Sequence, residues 1–141
     1  MTTPDSYNAA IIEEFRAGAG HVGGVWEDSP LLLLHHTGAR SGALRINPLG
    51  YVEDDGRYII IASNGGSRRH PAWYHNVRSS PNVTIEVGAE TLTAVAEQAT
   101  GPEHDRLFQL MADHAPPIVG YQASVARAIP IMILTPARSG T

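Results

Sequence analysis

The chain has 141 residues, a formal net charge of −4 and no cysteine. Its length predicts a single domain with its own core, and a composition of 43% hydrophobic and 17% charged residues excludes a disordered chain. The absence of cysteine excludes disulfides and thiolate metal sites. No apolar run approaches the ~18 residues of a membrane span. The negative net charge argues against general nucleic-acid binding. No secretory signal is visible, so we expect a cytoplasmic protein.

The first predicted element is an amphipathic helix from Asp5 to Arg16. Its apolar face either packs on the body of the protein, which is the commoner outcome, or contacts a membrane or a lipophilic substrate. Glycines then interrupt the pattern, so residues 1–24 are expected to form a helix and a link, and residues 25–141 the main part of one domain. The predicted apolar face carries Tyr7, Ile11, Ile12 and Phe15.

From residue 31 onward, short apolar runs alternate with turn residues, a pattern typical of antiparallel strands. No G-x-G-x-x-G turn joins a strand to a helix, which counts against a Rossmann fold. We therefore expect an α+β fold in which about six antiparallel strands form a barrel-like sheet with peripheral helices. The predicted strands are Leu31–Thr37, Leu44–Val52, Arg57–Ala62, Val83–Val87, Thr91–Glu97 and Ile129–Leu134, and the predicted helices are Pro71–Arg78, Pro102–Asp113 and Val119–Arg127.

The segment from Ser63 to Asn76 is the most informative part of the sequence for function. It follows a predicted strand and combines adjacent glycines, paired arginines and two large aromatic side chains. A freely turning backbone beside fixed positive charge suits an anionic ligand, and Trp73 and Tyr74 are placed to flank a flat one. Arginine forks match carboxylate and phosphate oxygens. The arginines between residues 40 and 78 are Arg40, Arg45, Arg57, Arg68, Arg69 and Arg78.

The turn between Thr37 and Arg45 has two interpretations. It is either an ordinary hairpin turn with a solvated arginine, or an anion site. In the second case the turn's amides, the Ser41 hydroxyl and Arg40 hold a phosphate or a carboxylate together. Loops commonly carry function, and the turn alone favours neither interpretation over the other.

The histidines do not predict a metal site. His35 and His36 are neighbours on a strand, so their side chains should point to opposite faces, and His70 and His75 are five residues apart, off the spacing of a helical ligand pair. We expect the histidines to be satisfied by ordinary hydrogen bonds and no metal to be bound. No G-x-S-x-G elbow surrounds a serine, so a serine hydrolase is not indicated either.

Nine short motifs occur in an order and spacing that together are specific. They are Pro30-Leu31-Leu32-Leu33-Leu34, Thr37-Gly38-x-Arg40-Ser41-Gly42, Arg45, Asn47-Pro48-Leu49, Ala62-Ser63-Asn64-Gly65-Gly66, His70-Pro71-x-Trp73-Tyr74-x-Asn76, Asn82-Val83, Tyr121-Gln122 and Ile129-Pro130-Ile131. From about Ile12 to the end, the chain resembles the deazaflavin-dependent nitroreductase family. The resemblance implies a split β-barrel related to the flavin-mononucleotide-binding oxidoreductases, with coenzyme F420 (an 8-hydroxy-5-deazaflavin) as cofactor.

The resemblance also implies site residues. An anion clamp for the coenzyme's phosphate and acidic tail would come from Arg40, Ser41 and Arg45. The remaining coenzyme residues are expected along a groove wall, beside the deazaflavin ring and in the loop near the tail. They are Asn47, Pro48, Ile61, Ala62, Ser63, Asn64, Gly65, Arg68, Arg69, Ala72 and Trp73.

The implied activity is transfer of hydride from reduced F420 to a lipophilic, electron-poor acceptor such as a quinone, an enone or a nitro compound. Tyr121, Ser63 or solvent would supply the proton. Nitroimidazole-activating relatives carry tyrosines before the position of Tyr121, where this chain has Ala115 and Ile118, so nitroreduction is the less favoured activity. These three positions, Ala115, Ile118 and Tyr121, are the expected acceptor contacts.

Two alternatives stay open from the sequence. One is a coenzyme-binding module that carries F420 or flavin mononucleotide with little turnover, because the binding motifs would look the same. The other is flavin mononucleotide as the true cofactor, which is the less favoured choice. Some relatives associate with membrane through an N-terminal segment, which makes a peripheral contact at the inner face an expectation for the first helix.

Overall fold

The computed structural model describes residues 3–23, 30–62, 70–114, 117–123 and 129–137, and of residues 3–8, 117 and 121 it describes the backbone alone. Within these ranges the chain forms helices and an antiparallel sheet. The helices are α1 (Thr3–Ala17), α2 (Ala72–Ser79), α3 (Gly101–His114) and α4 (Pro117–Ala123), and the strands are β1 (Leu31–Thr37), β2 (Leu44–Gly50), β3 (Val52–Asp54), β4 (Arg57–Ile61), β5 (Asn82–Val87), β6 (Glu90–Gln98) and β7 (Ile131–Pro136).

The sheet has seven strands in the order β2-β1-β5-β6-β7-β4-β3. The sheet has one strand more than the six predicted runs, because the predicted strand Leu44–Val52 divides at Tyr51. The last strand was also misplaced, since it begins at Ile131 and not at Ile129. Residues 124–127 of the predicted fourth helix and the predicted boundary at residues 24 and 25 lie outside the described residues.

A corner at Tyr51 gives the sheet its curvature. β2 and β3 lie at opposite edges of the sheet, yet only this residue separates them along the chain. The two edges must therefore approach each other at the corner, and the sheet curls into a half-barrel that stays open between them. The expected α+β split-barrel architecture is confirmed.

The concave side of the half-barrel holds the main core. Leu32 and Leu34 of β1 point into it, and alternation along the strand sends Leu31 and Leu33 to the outer face. Helix α2 covers the concave core with Trp73, Tyr74 and Val77, and it packs against β1 and β6. The four leucines of β1 are all buried because both faces of the strand are covered.

The outer face is covered by the other helices. α1 packs Ile11 and Phe15 on β1 and β2, while α3 and α4 cover β4 and β7 with Leu107, Met111 and Ile118. The prediction that the apolar face of α1 packs on the body is confirmed for Ile11 and Phe15, and a membrane contact through that face would require the helix to leave the sheet. No helix among the described residues is long and apolar enough to cross a membrane.

An ionic contact fastens the end of α1 to the sheet. The Arg16 guanidinium donates two hydrogen bonds to the Glu86 carboxylate, of 3.1 and 2.7 Å, and His35 Nε2 lies 2.6 Å from Glu86 Oε2. The arginine holds the pKa of the Glu86 carboxyl below its usual value, with His35 adding to the effect.

Candidate functional site

The end of the β1–β2 hairpin exposes a cationic turn. The Gly38 amide donates to the Ala43 carbonyl at 2.8 Å, and the Gly42 amide donates back to the Gly38 carbonyl at 2.9 Å. Gly42 has φ 71°, the left-handed region that glycine adopts without strain. These bonds close the predicted hairpin turn and leave Arg40 and Ser41 on its exposed outer side.

The Ser41 hydroxyl is fixed inside this turn. Its Oγ atom accepts the Ala43 amide hydrogen at 3.1 Å. The hydroxyl proton is not used by that bond, so it remains available for an anion oxygen. A Cβ atom on Gly38 would lie 2.6 Å from this Oγ atom, which explains why glycine stands at that position.

Strand pairing adds a second cation to the turn. Arg45 pairs with His36 and Asn47 pairs with Leu34, so both β2 side chains share the concave face of Leu32 and Leu34. The Arg40 and Arg45 side chains are exposed and make no hydrogen bond or ion pair with the part of the chain that the structure describes. The β1–β2 hairpin therefore carries two exposed guanidinium groups that no described carboxylate neutralises.

A buried polar chain lies beneath the cationic turn and connects three elements. Asn76 of α2 accepts the Ala39 amide hydrogen through Oδ1 at 2.9 Å, and its Nδ2 atom lies 3.0 Å from His36 Nδ1. His36 Nε2 lies 2.7 Å from Asn47 Oδ1 on β2. His36 and Asn76 are the buried polar residues of the described core.

The environment of His36 favours the neutral imidazole. Burial lowers the pKa of His36, the hydrogen bond to Asn47 opposes that shift, and the charges of Arg45 and His35 add to it. Opposite faces of β1 separate the two histidines as predicted, because His35 contacts Glu86 and His36 contacts Asn47. Within the described ranges, no three histidine or carboxylate side chains come together as metal ligands.

The predicted ring side of the site is partly described. Ala62 follows β4 and is buried, and its amide donates to the Pro130 carbonyl at 2.9 Å. Ile61 and Pro48 are half-buried and Ala72 is exposed at the start of α2. The predicted residues Ser63, Asn64, Gly65, Arg68 and Arg69 lie outside the described residues.

The two aromatic side chains of α2 are core residues. Trp73 is 5% exposed and Tyr74 is 4% exposed, both within the concave core. The Tyr74 hydroxyl donates to Gln98 Oε1 at 2.8 Å. The interpretation that both rings flank a flat ligand was therefore wrong for Tyr74, and Trp73, at 5% exposed, leaves little surface for a ligand contact.

The predicted acceptor side centres on α4. Ile118 is 4% exposed and packs in the outer core with Leu107 and Met111. Its expected acceptor contact would require this core to open. Tyr121 lies in α4, with its backbone alone described, and Ala115 lies outside the described residues.

Sequence reasoning did not identify a cavity of about 340 Å³ that is lined by His104 and Phe108 of α3 and Gln122 of α4. The backbone of Ile129 is held beside it, because His104 Nε2 donates to the Ile129 carbonyl at 3.0 Å and Gln122 Oε1 accepts the Ile129 amide hydrogen at 2.9 Å. The next residue is Pro130, whose carbonyl oxygen accepts the Ala62 amide hydrogen. The polar side chains of the cavity are thus connected, through the backbone of Ile129 and Pro130, to Ala62, the residue that follows β4.

A known protein family matches most of the chain. Residues 9–136 match the family described as F420H(2)-dependent quinone reductase. The chain belongs to this family. Its match covers the cationic hairpin, the buried polar chain beneath it and all seven strands. The resemblance drawn from the sequence motifs is confirmed.

Individual members of the F420H(2)-dependent quinone reductase family are similar over most of the chain. An F420H(2)-dependent quinone reductase of Mycobacterium tuberculosis is 40% identical over 109 residues, which are 75% of this chain and 73% of that protein. A second protein of the same organism, described as a putative F420H(2)-dependent quinone reductase, is 33% identical over 76% of this chain and 90% of its own length.

Solved structures agree with the fold of the family. An F420-H2 dependent reductase named FDR-A superposes with a TM-score of 0.69 at 38% identity, covering 74% of this chain and 93% of that chain. A structure described as a domain-swapped dimer superposes with a TM-score of 0.71 at 34% identity, covering 94% and 99%. The heme storage protein HutZ of Vibrio cholerae, at 17% identity and a TM-score of 0.58 over 94% and 92%, shares the fold alone.

Proposed function

We propose that this chain binds reduced coenzyme F420 and uses it to reduce a lipophilic quinone. Membership of the F420H(2)-dependent quinone reductase family supports the reaction class. The observation that supports a place on the molecule is the β1–β2 hairpin, which carries the Ser41 hydroxyl together with exposed Arg40 and Arg45, neither of which is paired with a carboxylate among the described residues.

The described residues fit the anionic part of the coenzyme. A phosphate with an acidic tail needs positive charge and hydrogen-bond donors that are not already used. Arg40 and Arg45 offer charged donors, the Ser41 hydroxyl offers a proton, and the turn is held rigid by its own bonds. A rigid clamp loses little conformational entropy on binding, which favours affinity.

The other predicted residues would orient the ring. When bound, the reduced deazaflavin supplies the hydride. Ala62, at the end of β4, donates its amide hydrogen to the Pro130 carbonyl. This bond holds Ala62 in place, so the wall that it would form beside the ring has a fixed position. Ala62 and Trp73 belong to the same buried core, which would keep water from that wall. Placement of the acceptor against the ring accounts for ~7–11 kcal/mol of barrier lowering in well-oriented reactions.

A proton must also reach the reduced acceptor. Tyr121 on α4 and Ser63 after β4 are the proposed donors, with solvent as the alternative. A phenol or a hydroxyl within hydrogen-bond reach of the acceptor oxygen would act as a general acid. A quinone is the favoured acceptor, because the matching family is described by quinone reduction and this chain has no tyrosine in the segment before Tyr121, where the nitroimidazole-activating relatives carry them.

The test is a turnover assay with menadione. Purified protein is mixed with reduced F420 and the quinone, and regrowth of the visible absorbance of oxidised F420 is followed against a protein-free control. Acceleration supports the proposal. If several quinones, enones and nitro compounds all fail to accelerate the reaction, the chain is a coenzyme-binding module with little turnover.

A fluorescence titration separates the coenzymes. Saturable binding of F420, with flavin mononucleotide binding more weakly, is the expected result. The reverse preference would make flavin mononucleotide the cofactor and would overturn the proposal even if a reductase activity were found.

A further inference from the structure

We propose that His36 and Asn76 are positioning residues that lock the cationic turn and Asn47 into the orientation that receives the anionic tail of the coenzyme. This inference rests on the proposed function. The observation behind it is the unbroken hydrogen-bonded chain from the Ala39 amide through Asn76 and His36 to Asn47, buried below the turn. Neither residue touches the exposed arginines by a hydrogen bond.

The chain of hydrogen bonds has a fixed direction. The Ala39 amide can only donate, so Asn76 accepts it through Oδ1 and must turn its Nδ2 donor toward His36. His36 then accepts at Nδ1 and carries its proton on Nε2, which donates to Asn47 Oδ1. One backbone amide thereby determines the tautomer of a histidine and the orientation of two amide side chains.

The direction of the hydrogen bonds determines which atoms of Asn47 remain for a ligand. Asn47 has its oxygen engaged by His36, so its Nδ2 hydrogens are the atoms not used by this contact. Asn47 shares the concave face with Arg45. The Asn47 atoms left for a ligand are therefore donors, on the same face of β2 as Arg45, which suits an anion and disfavours a cation.

We call the hydrogen-bonded chain from Ala39 through Asn76 and His36 to Asn47 the lock. The direction of its hydrogen bonds makes the lock sensitive to protonation of His36. A second proton on His36 would place two donors, Nδ1 and Asn76 Nδ2, against each other and would break the chain. The charged or titratable groups that act on the ring are Arg45 on β2 and His35 on β1, while α2 contributes the uncharged amide of Asn76. Both neighbours disfavour a second positive charge, so the lock is kept closed while His36 is neutral.

The first test uses the ligand-free protein. Nitrogen-detected NMR should show His36 as the Nε2–H tautomer, and the Ala39 amide hydrogen should be protected from exchange. In the His36→Phe variant the Ala39 amide should lose that protection. A wild-type His36 in the Nδ1–H tautomer, or an unprotected Ala39 amide, overturns the proposal without any coenzyme in the experiment.

The second test compares two ligands for each of three variants. F420 and the same deazaflavin without its phosphate and acidic tail are titrated against wild type, His36→Phe, Asn76→Ala and His114→Gln. His36→Phe and Asn76→Ala should weaken F420 binding roughly tenfold, the scale of one misplaced hydrogen-bonding group. They should leave the tail-free ligand unchanged. His114→Gln is the matched control, because His114 lies at the end of α3 and contacts the Leu110 carbonyl.

The outcomes separate the two proposals. An equal loss for both ligands would show a merely structural role, and no loss for either would show that the lock does not act on the tail; both results overturn the inference. Wild-type protein that binds neither ligand would instead overturn the proposed function, and the tautomer and exchange measurements would still decide whether the lock exists. Acidification should weaken F420 binding to wild type but not to His36→Phe.

Discussion

Gly38 and Ser41 are in such close contact across the hairpin turn that a Cβ atom on the glycine would lie 2.6 Å from the serine Oγ atom. We predict that Gly38→Ala displaces the Ser41 hydroxyl from the Ala43 amide. Affinity for F420 should fall by about 0.5–1.5 kcal/mol, the usual net value of one hydrogen bond. A fluorescence titration measures the effect.

Gly50→Ala is the matched control for this substitution. A Cβ atom at Gly50 would meet only the Pro30 carbonyl oxygen at 3.9 Å, an ordinary contact. Its affinity for F420 should equal that of wild type. Equal losses in the two variants would mean that the turn responds to added bulk in general and not to the position of Ser41.

Arg40 and Arg45 should each contribute directly to coenzyme affinity. We predict that Arg40→Ala and Arg45→Ala each weaken F420 binding by roughly 1.5–3 kcal/mol, the scale of a hydrogen bond to a charged group. The wild-type affinity should also fall as salt rises, because the cations are exposed and screened. Arg106→Ala, which removes a cation bound to Asp54, is the control. Unchanged dissociation constants would place the tail elsewhere.

The buried imidazole of His36 should make stability fall in mild acid. Its pKa in the folded protein lies below the ordinary value of 6.5, so the unfolded chain binds the proton first as the pH drops. Stability from this group is complete above pH 6.5 and decreases as the pH falls from there toward the lower folded pKa. Urea unfolding at a series of pH values should show a weaker decrease for His36→Phe. Parallel curves for the two proteins would contradict the prediction.

The contact between Arg16 and Glu86 should act in a more acidic window. The arginine holds the pKa of Glu86 below its ordinary value of 4.5, so its stabilisation is present above pH 4.5 and is lost as the pH falls through the folded pKa. Arg16→Gln should lower stability at neutral pH by about 0.5–1 kcal/mol, since one partner is exposed. The difference between variant and wild type should vanish in strong acid. A constant difference would assign the effect to packing.

Ile118 offers a test of core against acceptor site. Because it is buried with Leu107 and Met111, Ile118→Ala should destabilise the protein by about 2–5 kcal/mol. The Michaelis constant for menadione should stay close to wild type in protein that remains folded. The exposed neighbour Val119 provides the control, since Val119→Ala should cost little stability. A raised Michaelis constant with unchanged stability would return Ile118 to the acceptor site.

The elements that sequence pattern alone predicted correctly are those with a local signal. The hairpin turn between β1 and β2, the start of α2 after Pro71 and the apolar face of α1 each follow from residues close together in the chain. The division at Tyr51 was missed, because the apolar run continues through it and only the curvature of the whole sheet separates β2 from β3.

The contact between His36 and Asn76 beneath the turn could not be predicted from the sequence, for a different reason. His36 and Asn76 are forty residues apart, and they meet only because α2 lies across β1. The signal in the sequence was a polar residue at an apolar spacing, since His36 comes two residues after Leu34 on a strand and Asn76 three residues after Trp73 on a helix. Tyr74 was misread for the converse reason, since its aromatic ring suits a ligand face and a core equally well until Gln98 is placed beside its hydroxyl.

Strand β7 pairs with both β4 and β6. The carbonyl of Pro130, directly before β7, accepts the amide hydrogen of Ala62. The wall beside the proposed ring position therefore depends on a pairing between segments about seventy residues apart in the chain. The β1–β2 hairpin, with its two cations, is closed by neighbouring strands, and such local contacts form faster than distant ones. A chain in which β7 has not yet paired would hold the coenzyme by its tail alone, so the functional site would be complete only after the slower pairing.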